Sequence, residues 1–473
     1  MVDEGAGSSI VWFRRDLRVA DQPTFLAARD AGERALGLFV LDPALLKPSG
    51  PARRTYLYRS LRVLDEQLGG RLLVVRGDPA DVVPRVAAAV DAASVHVAAD
   101  FGPYGASRDE AVGKALAEDD RELVRSGSPY AVAPGRVRKP DGDPYKVFTP
   151  FRRAWAQHGW RDPATTDAST VSWLDPGDKQ GGPRRVNIPD DDALPETNTG
   201  LPDAGEDAAH RRWREFLDGA ATGYQGDRDR PDRPGTSRMS VYLKYGQIHP
   251  RTMLADLASR RSGSEAASES LDTYRTELAW REFYADVLFQ RPDSARENYD
   301  RKFERLPIET DKAAEQRFEA WCEGRTGYPI VDAGMRQLLA EGWMHNRLRM
   351  IVASFLVKDL HLPWWWGARH FMHHLVDGDL ASNQHGWQWT AGSGTDASPY
   401  YRIFNPTTQG ERFDPDGGYV RRYVPELREV SGKAVHQPSK LPGGVPTGYP
   451  EPMVDHAAER KDALARYEAV KGR

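Results

Sequence analysis

Cysteine is nearly absent from this chain. Cys322 is the one cysteine among 473 residues, which excludes a disulfide framework and any metal site built from cysteine ligands. A single thiol also fits a reducing compartment, and we expect a cytoplasmic protein.

Long apolar runs and an excess of charge of one sign are missing as well. No stretch approaches the roughly 18 apolar residues of a membrane helix, and the first residues lack the segments of a signal peptide, so we expect no membrane association. Lys and Arg number 65 against 69 Asp and Glu, a net charge of −4. A nucleic-acid partner would therefore need a local basic patch, because the whole chain repels phosphate slightly.

Short apolar runs alternate with helical patterns over the first 135 residues. Strands are expected at 9–13, 35–41, 71–77, 94–100 and 130–134, with helices at 53–70 and 80–92. This alternation predicts an α/β domain with a doubly wound parallel sheet covered on both faces. The domain has no G-x-G-x-x-G sequence, so a dinucleotide fingerprint is not supported there.

The rest of the chain changes character twice. From about residue 160 to 205 it is polar and rich in Pro, Gly and Asp, which is typical of a linker. Beyond it strand signals nearly vanish, and 271–290, 328–342 and 346–360 have the pattern of amphipathic helices. We predict an α/β domain at 1–135, an inter-domain linker at 136–205 and an all-α domain at 206–473.

One helix face in ELAWREFY (277–284) carries unusual chemistry. Glu277, Trp280, Arg281 and Tyr284 follow the spacing i, i+3, i+4, i+7, so they share a face. The plain interpretation is a surface ion pair worth about 0.3–0.5 kcal/mol beside a partly buried indole. Taken alone, the segment favours that interpretation over a binding site.

Two further segments offer groups that either bind a ligand or cap a helix. GTSRMS (235–240) places small hydroxyl residues before a helical pattern, which suits a phosphate site and also an ordinary N-cap, the commoner of the two. DGDLASNQHGWQW (377–389) gathers two Asp and an Asn, but not at the spacing of a calcium loop. We predict hydrogen bonding to a ligand there and no metal site; the alternative is a capped loop with two core tryptophans.

Arginine is interleaved with Trp, Tyr and Asn in WMHNRLRM (343–350), in RDRPDR (228–233) and in the long loop 392–415. In WMHNRLRM, Asn346 and Met350 share one helix face, and the apolar stripe that follows lies on the opposite side. The mixture suits phosphate binding combined with base stacking better than simple solvation.

The joint order of these motifs is more specific than any one of them. VWFRRDLR (11–18), GTSRMS, ELAWREFY, TGYPIVDAGMRQL, WMHNRLRM, DGDLASNQHGWQW and YYRIFNPTTQGERFD resemble the photolyase/cryptochrome flavoproteins. The similarity runs from about residue 9 to the end and is weak only in the linker. It looks most like a bacterial class I cyclobutane pyrimidine dimer photolyase. That resemblance implies a monomeric, FAD-dependent carbon–carbon lyase that repairs UV-damaged DNA, double- or single-stranded.

The resemblance also implies an FAD site. Hydroxyl and N–H groups of 236–240 would bind the pyrophosphate with Arg281 adding positive charge, and Asn383 would lie at flavin N5 beside a buried ion pair of Arg349 with Asp377. A neutral amide at 383 resembles the repairing members of the family rather than signalling cryptochromes. The full set of implied contacts is Tyr224, Thr236, Ser237, Arg238, Met239, Ser240, Glu277, Arg281, Arg349, Asp377, Asp379 and Asn383.

The implied lesion pocket consists of Glu277, Trp280, Asn346, Met350 and Trp389. Photolyases are among the enzymes that flip a base out of the duplex, and indoles would stack on it while carboxyl and amide groups bond its edges. Excited reduced flavin would donate an electron to the dimer, and Glu277 would stabilise the charge that develops as two C–C bonds break. The implied DNA contacts are Arg228, Trp280, Arg347 and Arg402.

Two features of the resemblance are incomplete. Of the family's three electron-transfer tryptophans, Trp387 and Trp364 match the inner two, but LPIETD (306–311) holds no outer one, so Trp365, Trp366 or a tyrosine would have to substitute. In the first domain, FGPYGASRD (101–109) lacks the Asn-Glu pair of folate-binding members. It resembles the type that binds 8-hydroxy-5-deazaflavin as antenna; a reduced folate or an empty site are the alternatives. The implied antenna contacts are Arg53, Asp100 and Lys244.

Three other functions compete with this one. A cryptochrome-type blue-light sensor would share the cofactor, but the amide at 383 and the implied lesion set argue against it. A six-four photoproduct photolyase usually carries His-His where this chain has His345-Asn346. A helical DNA-binding module without cofactor would be colourless, so an absorption spectrum separates it from the flavoproteins.

Overall fold

The protein has two parts, an α/β part in which helices cover a sheet and a large helical body. The computed structural model describes residues 7–177, 182–194, 200–260, 264–396 and 401–471. In the α/β part the elements are β1 Ser8–Phe13, α1 Pro23–Ala31, β2 Ala35–Leu41, α2 Pro43–Leu46, α3 Pro51–Gln67, β3 Leu72–Arg76, α4 Pro79–Ala89, β4 Ala92–Val97, α5 Pro103–Ala117 and β5 Glu122–Arg125.

Helices dominate the rest of the described chain. They are α6 Phe148–His158, α7 Glu206–Asp218, α8 Tyr224–Asp227, α9 Ser240–Tyr245, α10 Pro250–Ser259, α11 Glu265–Gln290, α12 Lys312–Cys322, α13 Pro329–Glu341, α14 Asn346–Ser354, α15 Trp364–His374, α16 Leu380–Ala391, α17 Pro406–Phe413, α18 Gly418–Tyr423 and α19 His456–Lys471. None of the helices formed by the described residues combines the length and apolar character needed to cross a bilayer.

The sheet has the predicted parallel, doubly wound topology. Its order is β3-β2-β1-β4-β5, with β1 in the centre and every neighbour parallel. The strands are almost continuously apolar because both faces are covered. One face packs on the valines of α4 and on α5; the other packs against Val241, Tyr245, Trp343 and Val376 of the helical body. The seam between the two parts therefore lies against the central strand.

The predicted strand at 130–134 is wrong, and the fifth strand is β5, earlier in the chain. Residues 130–134 have irregular backbone because their N–H groups find a side-chain acceptor instead of a strand. The N–H of Val132 donates to Oε2 of Glu282 at 3.0 Å, and Ala131 also donates to this carboxylate. Tyr130 and Val132 are buried against helical residues and not in the sheet. A short apolar run cannot by itself distinguish these outcomes.

The segment predicted as a linker follows the surface of both parts. Its polar stretch forms only short turns among the described residues, yet it is anchored to the sheet: Leu174 N donates to Ala35 O at 2.8 Å, and Val186 N donates to Val74 O at 2.7 Å. Before that stretch, α6 buries Phe148, Phe151 and Trp155 in the helical core. The boundary at residue 136 thus remains a prediction, and α6 belongs by its packing to the helical body.

Long helices of the helical body bring the quoted motifs together. The 26-residue helix α11 carries ELAWREFY, and it packs on α16, which carries ASNQHGWQW and also contacts α14. On α14 the predicted stripe is buried, with Leu348, Ile351 and Val352 at 0–1% exposure, while Asn346 is exposed and Met350 half-buried. The polar face of α14 is therefore free to line a site.

Candidate active site

The GTSRMS segment forms a fixed turn ahead of α9. Arg238 adopts a left-handed backbone conformation with φ +58°. Ser237 Oγ lies 2.7 Å from the hydroxyl of Tyr274 and accepts from Met239 N at 3.2 Å, while Arg212 holds the carbonyls of 236 and 237 from behind. Ser240 and Arg238 are exposed although their neighbours are buried. The turn thus leaves Arg238 and Ser240 exposed, and the guanidinium and hydroxyl of these residues are groups that bind phosphate.

The predicted ion pair between Arg349 and Asp377 is present. Arg349 Nη2 lies 2.7 Å from Asp377 Oδ2, and its Nε donates to Met344 O at 2.8 Å. The Asp377 side chain is 1% exposed, whereas that of Arg349 is 27% exposed. Because Asp377 Oδ1 is buried without a hydrogen-bond partner, this pair has one acceptor left for a ligand.

Asp379 lies at the seam between the α/β part and the helical body. Its Oδ1 caps α16 by accepting from Ser382 N at 3.0 Å, and its Oδ2 accepts from Arg15 Nη2 at 2.7 Å. Burial alone would raise the pKa of Asp379, but Arg15, Lys244 and Arg281 together hold it below its usual value. The carboxylate is therefore ionised, and it is bound by a residue of the α/β part.

Arg281 and Asn383 border the same region. Arg281 Nη1 donates to Pro129 O at 3.0 Å, and its guanidinium lies 4.7 Å from the ring centroid of Tyr130. Its Nη2 donates to Leu243 O of α9 at 3.5 Å, and its charge helps to lower the pKa of Asp379. Asn383 Nδ2 donates to Ala368 O at 3.1 Å, which fixes the orientation of its amide.

A chain of alternating charges joins α11 to α14. Arg228 Nη2 lies 2.8 Å from Glu277 Oε1, and Arg347 Nη2 lies 2.7 Å from Asp229 Oδ2. Tyr224 is buried beneath Arg228, whose guanidinium is 5.7 Å from the ring. Burial raises the pKa of Glu277, and Arg228 opposes that shift. The carboxyl group of Glu277 is thus more easily protonated than a free Glu, and Arg228 is its positively charged partner.

The indole of Trp280 is half-buried next to Glu277. Its ring is stacked on that of Phe148, with centroids 3.5 Å apart and an interplanar angle of 9°. Trp389, half-buried at the end of α16, lines a small cleft together with Arg402 and Lys358. Arg402 is exposed, so of the three predicted DNA-contacting arginines it is the one whose side chain is not in a described ion pair.

The two inner tryptophans have different surroundings. Trp387 is 3% exposed, with Phe371 at 5.0 Å and Trp321 at 6.1 Å between ring centroids, and its Nε1 is buried without a partner. Trp364 Nε1 donates to Asn298 Oδ1 at 3.0 Å, and the ring of Trp365 lies 6.0 Å away. In LPIETD, Glu309 is instead bound by Arg466 at 2.8 Å and by Arg317.

The three predicted antenna residues lie in one electrostatic cluster. Burial, then Arg15 and Arg53, lower the pKa of Lys244 to about 7, against the opposing charges of Asp379 and Asp100. Asp100 also lies 3.3 Å from Arg108, and Arg53 Nη2 donates to Leu375 O at 3.1 Å. The cluster borders Asp379, so a ligand held there would be adjacent to the ligand site of the helical body.

Two family models match long stretches of the chain. A model of the FAD binding domain of DNA photolyase matches residues 274–469, and the DNA photolyase model matches residues 9–169. A protein named deoxyribodipyrimidine photo-lyase from Streptomyces griseus is 41% identical over 473 residues, which cover 98% of this chain and 99% of the relative. The chain belongs to the DNA photolyase family. It is a light-driven DNA repair enzyme that binds FAD.

Solved photolyase structures have the same fold. A bacterial class III photolyase from Agrobacterium tumefaciens is 36% identical with a TM-score of 0.89, covering 100% of this chain and 99% of that one. An archaeal photolyase from Sulfolobus tokodaii, solved with two FAD molecules, is 29% identical with a TM-score of 0.83, covering 98% and 100%. The predicted fold is therefore confirmed, and photolyases of more than one kind share it.

The residues present in this photolyase-family chain fit FAD. Among the described residues, Asp377 Oδ1, Arg15 Nε and Trp387 Nε1 are buried without partners, which is costly unless a ligand or water satisfies them. Ser240 is an exposed residue of the helical body, and its hydroxyl would contact phosphate. Acceptor, cationic and hydroxyl groups together are what a flavin with a pyrophosphate needs.

Sequence reasoning missed four residues that position the site. Arg15 binds Asp379, Asp229 binds Arg347, Arg212 supports the 236–240 turn and Phe148 stacks on Trp280. Arg15 lies inside the quoted VWFRRDLR motif, and Asp229 lies inside RDRPDR. The motifs therefore marked both regions, but the sequence alone assigned no role to either residue. Phe148 lies in the segment predicted as linker, where its apolar neighbours at 151 and 155 were the available signal.

Proposed function

We propose that the enzyme splits cyclobutane pyrimidine dimers in UV-damaged DNA. The supporting observation is the pair of contacts that joins α11 to α14: Arg228 lies 2.8 Å from Glu277, and its chain neighbour Asp229 lies 2.7 Å from Arg347. In this proposal Glu277 and Trp280 of α11 and Asn346 and Met350 of α14 line one mouth. A flat apolar surface beside carboxyl and amide groups matches an extruded pyrimidine pair, which has π faces and imide edges. Trp389 completes the proposed pocket from α16.

Bound FAD supplies light absorption and the electron that the repair requires. The protein's own groups do the rest by holding charge in place. The Arg349–Asp377 pair is a fixed dipole at the proposed flavin position, and Asn383 offers a neutral amide there. Glu277, whose pKa burial raises, donates a hydrogen bond from its protonated carboxyl group to the lesion as negative charge develops there.

DNA is recognised in this proposal by exchange of ion pairs. Arg402 is exposed and free to contact phosphate, whereas Arg228 and Arg347 are bound to carboxylates. Phosphates that approach the mouth would compete with Glu277 and Asp229 for these guanidinium groups, which also frees the Glu277 carboxyl for the lesion. Binding should therefore weaken steeply with added salt.

The identity of the lesion rests on Asn346 in our proposal. Its amide both donates and accepts, and it is exposed on α14 with no titratable proton to offer. A pocket of this kind suits the splitting of two C–C bonds, a reaction that transfers no atom from one base to the other. Transfer of an oxygen between two bases, as six-four photoproducts require, calls for an acid that this position lacks. The six-four activity is the second candidate, and the experiment below separates the two.

For the antenna we propose 8-hydroxy-5-deazaflavin in contact with Arg53, Asp100 and Lys244. The support is the shared electrostatic cluster of these residues beside Asp379. A reduced folate remains the alternative, and the Sulfolobus tokodaii photolyase with two FAD molecules is described as implying a novel light-harvesting cofactor in that protein. Reconstitution of the purified enzyme with each chromophore, followed by gel filtration and absorption, decides among them.

We propose that electrons reach the flavin from Trp365 through Trp364 and then Trp387, in that order from the surface inward. The support is the 6.0 Å separation of the last two rings and the partial exposure of Trp365. Class I membership, a monomeric state and a cytoplasmic location remain predictions from the sequence.

The test uses two short DNA duplexes, one with a single cyclobutane dimer and one with a single six-four photoproduct. We expect blue light to convert the first to intact DNA and to leave the second unchanged, as read by chromatography of the digested strands. Repair of the six-four duplex alone would overturn the proposal in favour of the second candidate. An Asn346→His variant that still repairs only the dimer would show that residue 346 does not set the specificity.

A further inference from the structure

Phe148 and Trp280 form the tightest parallel ring contact among the described aromatic pairs. Their centroids are 3.5 Å apart and the planes differ by 9°, so the benzene ring covers one face of the indole. Phe148 is 6% exposed, whereas Trp280 is more exposed. The phenylalanine is thus the more buried ring of the pair, and this contact leaves the other face of the indole uncovered by Phe148.

The position of Phe148 is itself fixed from the other wall of the proposed pocket. Its N–H donates to Asp396 Oδ2 at 3.2 Å, and Thr395 Oγ1 donates to Lys146 O at 2.6 Å. Residues 392–396 follow directly after α16, which carries Trp389, and Gly394 N donates to Gln388 O at 3.0 Å. Segment 146–148 is therefore held between the helix of Trp280 and the end of the helix of Trp389.

Neighbouring rings limit any other orientation of the indole. Phe283 meets Trp280 edge-on at 5.8 Å and 74°, and it also meets Phe148 at 5.7 Å and 67°. Tyr284 lies at 5.4 Å and 41° on the same helix. Without the stacked Phe148 these edge-on and tilted contacts alone would restrict the plane of the indole less, and ordering the ring on binding would reduce affinity.

We propose that Phe148 is a positioning residue for lesion recognition. It holds the Trp280 indole in one plane before DNA arrives, so that the extruded base stacks on a surface already in place. This inference rests on the proposed function, because it takes Trp280 as a lesion contact. It adds that discrimination of damaged from undamaged DNA depends on a residue that touches neither the lesion nor the flavin.

The experiment measures binding of FAD-loaded enzyme, in the dark, to a duplex with one cyclobutane dimer and to the undamaged duplex. Phe148→Leu removes the flat ring but keeps apolar volume, and Phe148→Tyr keeps the ring. Phe151→Leu is the matched control, because Phe151 is buried one turn along the same helix and contacts Phe283 rather than Trp280. Flavin content and thermal unfolding are recorded for each variant, and Phe148→Met replaces Phe148→Leu if the latter does not fold.

We expect Phe148→Leu to lower the ratio of damaged to undamaged affinity roughly three- to tenfold, the scale of one aromatic pair. Phe148→Tyr should keep the affinity ratio within about twofold of wild type. Phe151→Leu should lower stability and leave the affinity ratio unchanged. In a Trp280→Ala background, Phe148→Leu should have no further effect on the ratio, because the effect passes through the indole.

Each contrary result has its own meaning. If Trp280→Ala lowers the ratio while Phe148→Leu leaves it unchanged, the positioning role is refuted and the lesion pocket stands. A full effect of Phe148→Leu in the Trp280→Ala background refutes it equally. If Trp280→Ala itself leaves the ratio unchanged, the proposed lesion pocket fails, and the inference fails with it.

Discussion

Replacing Asp379 with Asn should destabilise the contact between the α/β part and the helical body, and it should lower the free energy of unfolding more than an Asp→Asn change at an exposed ion pair. The variant keeps the helix cap, because an Asn side chain also accepts from Ser382 N. It removes the charge that pairs with Arg15 at 2.7 Å and that offsets Lys244. The substitution therefore isolates the electrostatic contribution of one carboxylate.

The size of the effect follows from how buried the pair is. The side chains of Arg15 and Asp379 are 25% and 14% exposed, so the pair is neither fully dry nor freely solvated. Breaking a fully buried pair costs about 3–5 kcal/mol, and exposed pairs contribute about 0–1 kcal/mol. We expect Asp379→Asn to lower the free energy of unfolding by roughly 2–3 kcal/mol at neutral pH.

The dependence on pH gives an independent check. The pKa of Asp379 is lowered in the folded protein, so its contribution is complete above the unfolded value of about 3.9 and is lost as the pH falls through the lower folded value. Wild type and variant should thus converge in stability under acid conditions, where the folded carboxyl is protonated as well.

Urea unfolding followed by far-UV circular dichroism measures these differences, and Asp30→Asn is the control because Asp30 is 65% exposed in an ion pair with Arg29. The control should stay within about 0.5 kcal/mol of wild type. Adding Arg15→Met to Asp379→Asn should cost much less than Arg15→Met costs alone. A loss below about 0.5 kcal/mol for Asp379→Asn would refute the reasoning.

Three further predictions follow from the site. Glu277→Ala should lower repair roughly tenfold while FAD stays bound, read as dimers repaired per absorbed photon; an unchanged yield removes Glu277 from the mechanism. The folded pKa of Lys244, about 7, lies below its ordinary value of 10.5, so the unfolded state binds the extra proton and Lys244 should make stability rise with pH between these values by up to about 1.4 kcal/mol per pH unit. Lys244→Met should reduce the slope without abolishing it, because burial also lowers the pKa of Lys358 to about 7; an unaltered slope contradicts the burial of the Lys244 charge. Trp364→Phe should slow photoreduction of oxidised flavin strongly in transient absorption, and if Trp365→Phe has no effect the terminal step lies elsewhere.

Patterns with strong periodicity predicted the fold well. The apolar strands β1 to β3, the helices α3, α11 and α13 and the stripe of α14 all lie where the sequence predicts them, because burial of one face determines them locally. The strand at 130–134 was wrong because Glu282, about 150 residues away, accepts its N–H groups. No local pattern contains that partner.

The site was predictable only in part, for the same reason. The Arg349–Asp377 pair was expected from the resemblance and is present at 2.7 Å. The contact of Phe148 with Trp280 spans 132 positions, and that of Arg15 with Asp379 spans 364, so neither follows from helical spacing. Long-range pairs become visible only when the fold has brought their elements together.

Light-dependent repair with and without flavin tests the central claim most directly. The enzyme, loaded with FAD and chemically reduced, is mixed with a duplex that holds one cyclobutane dimer and divided between blue light and darkness, beside protein stripped of flavin. We predict that intact thymines appear in the illuminated, flavin-loaded sample and in no other. Equal repair in the dark, or by the stripped protein in light, would contradict the account.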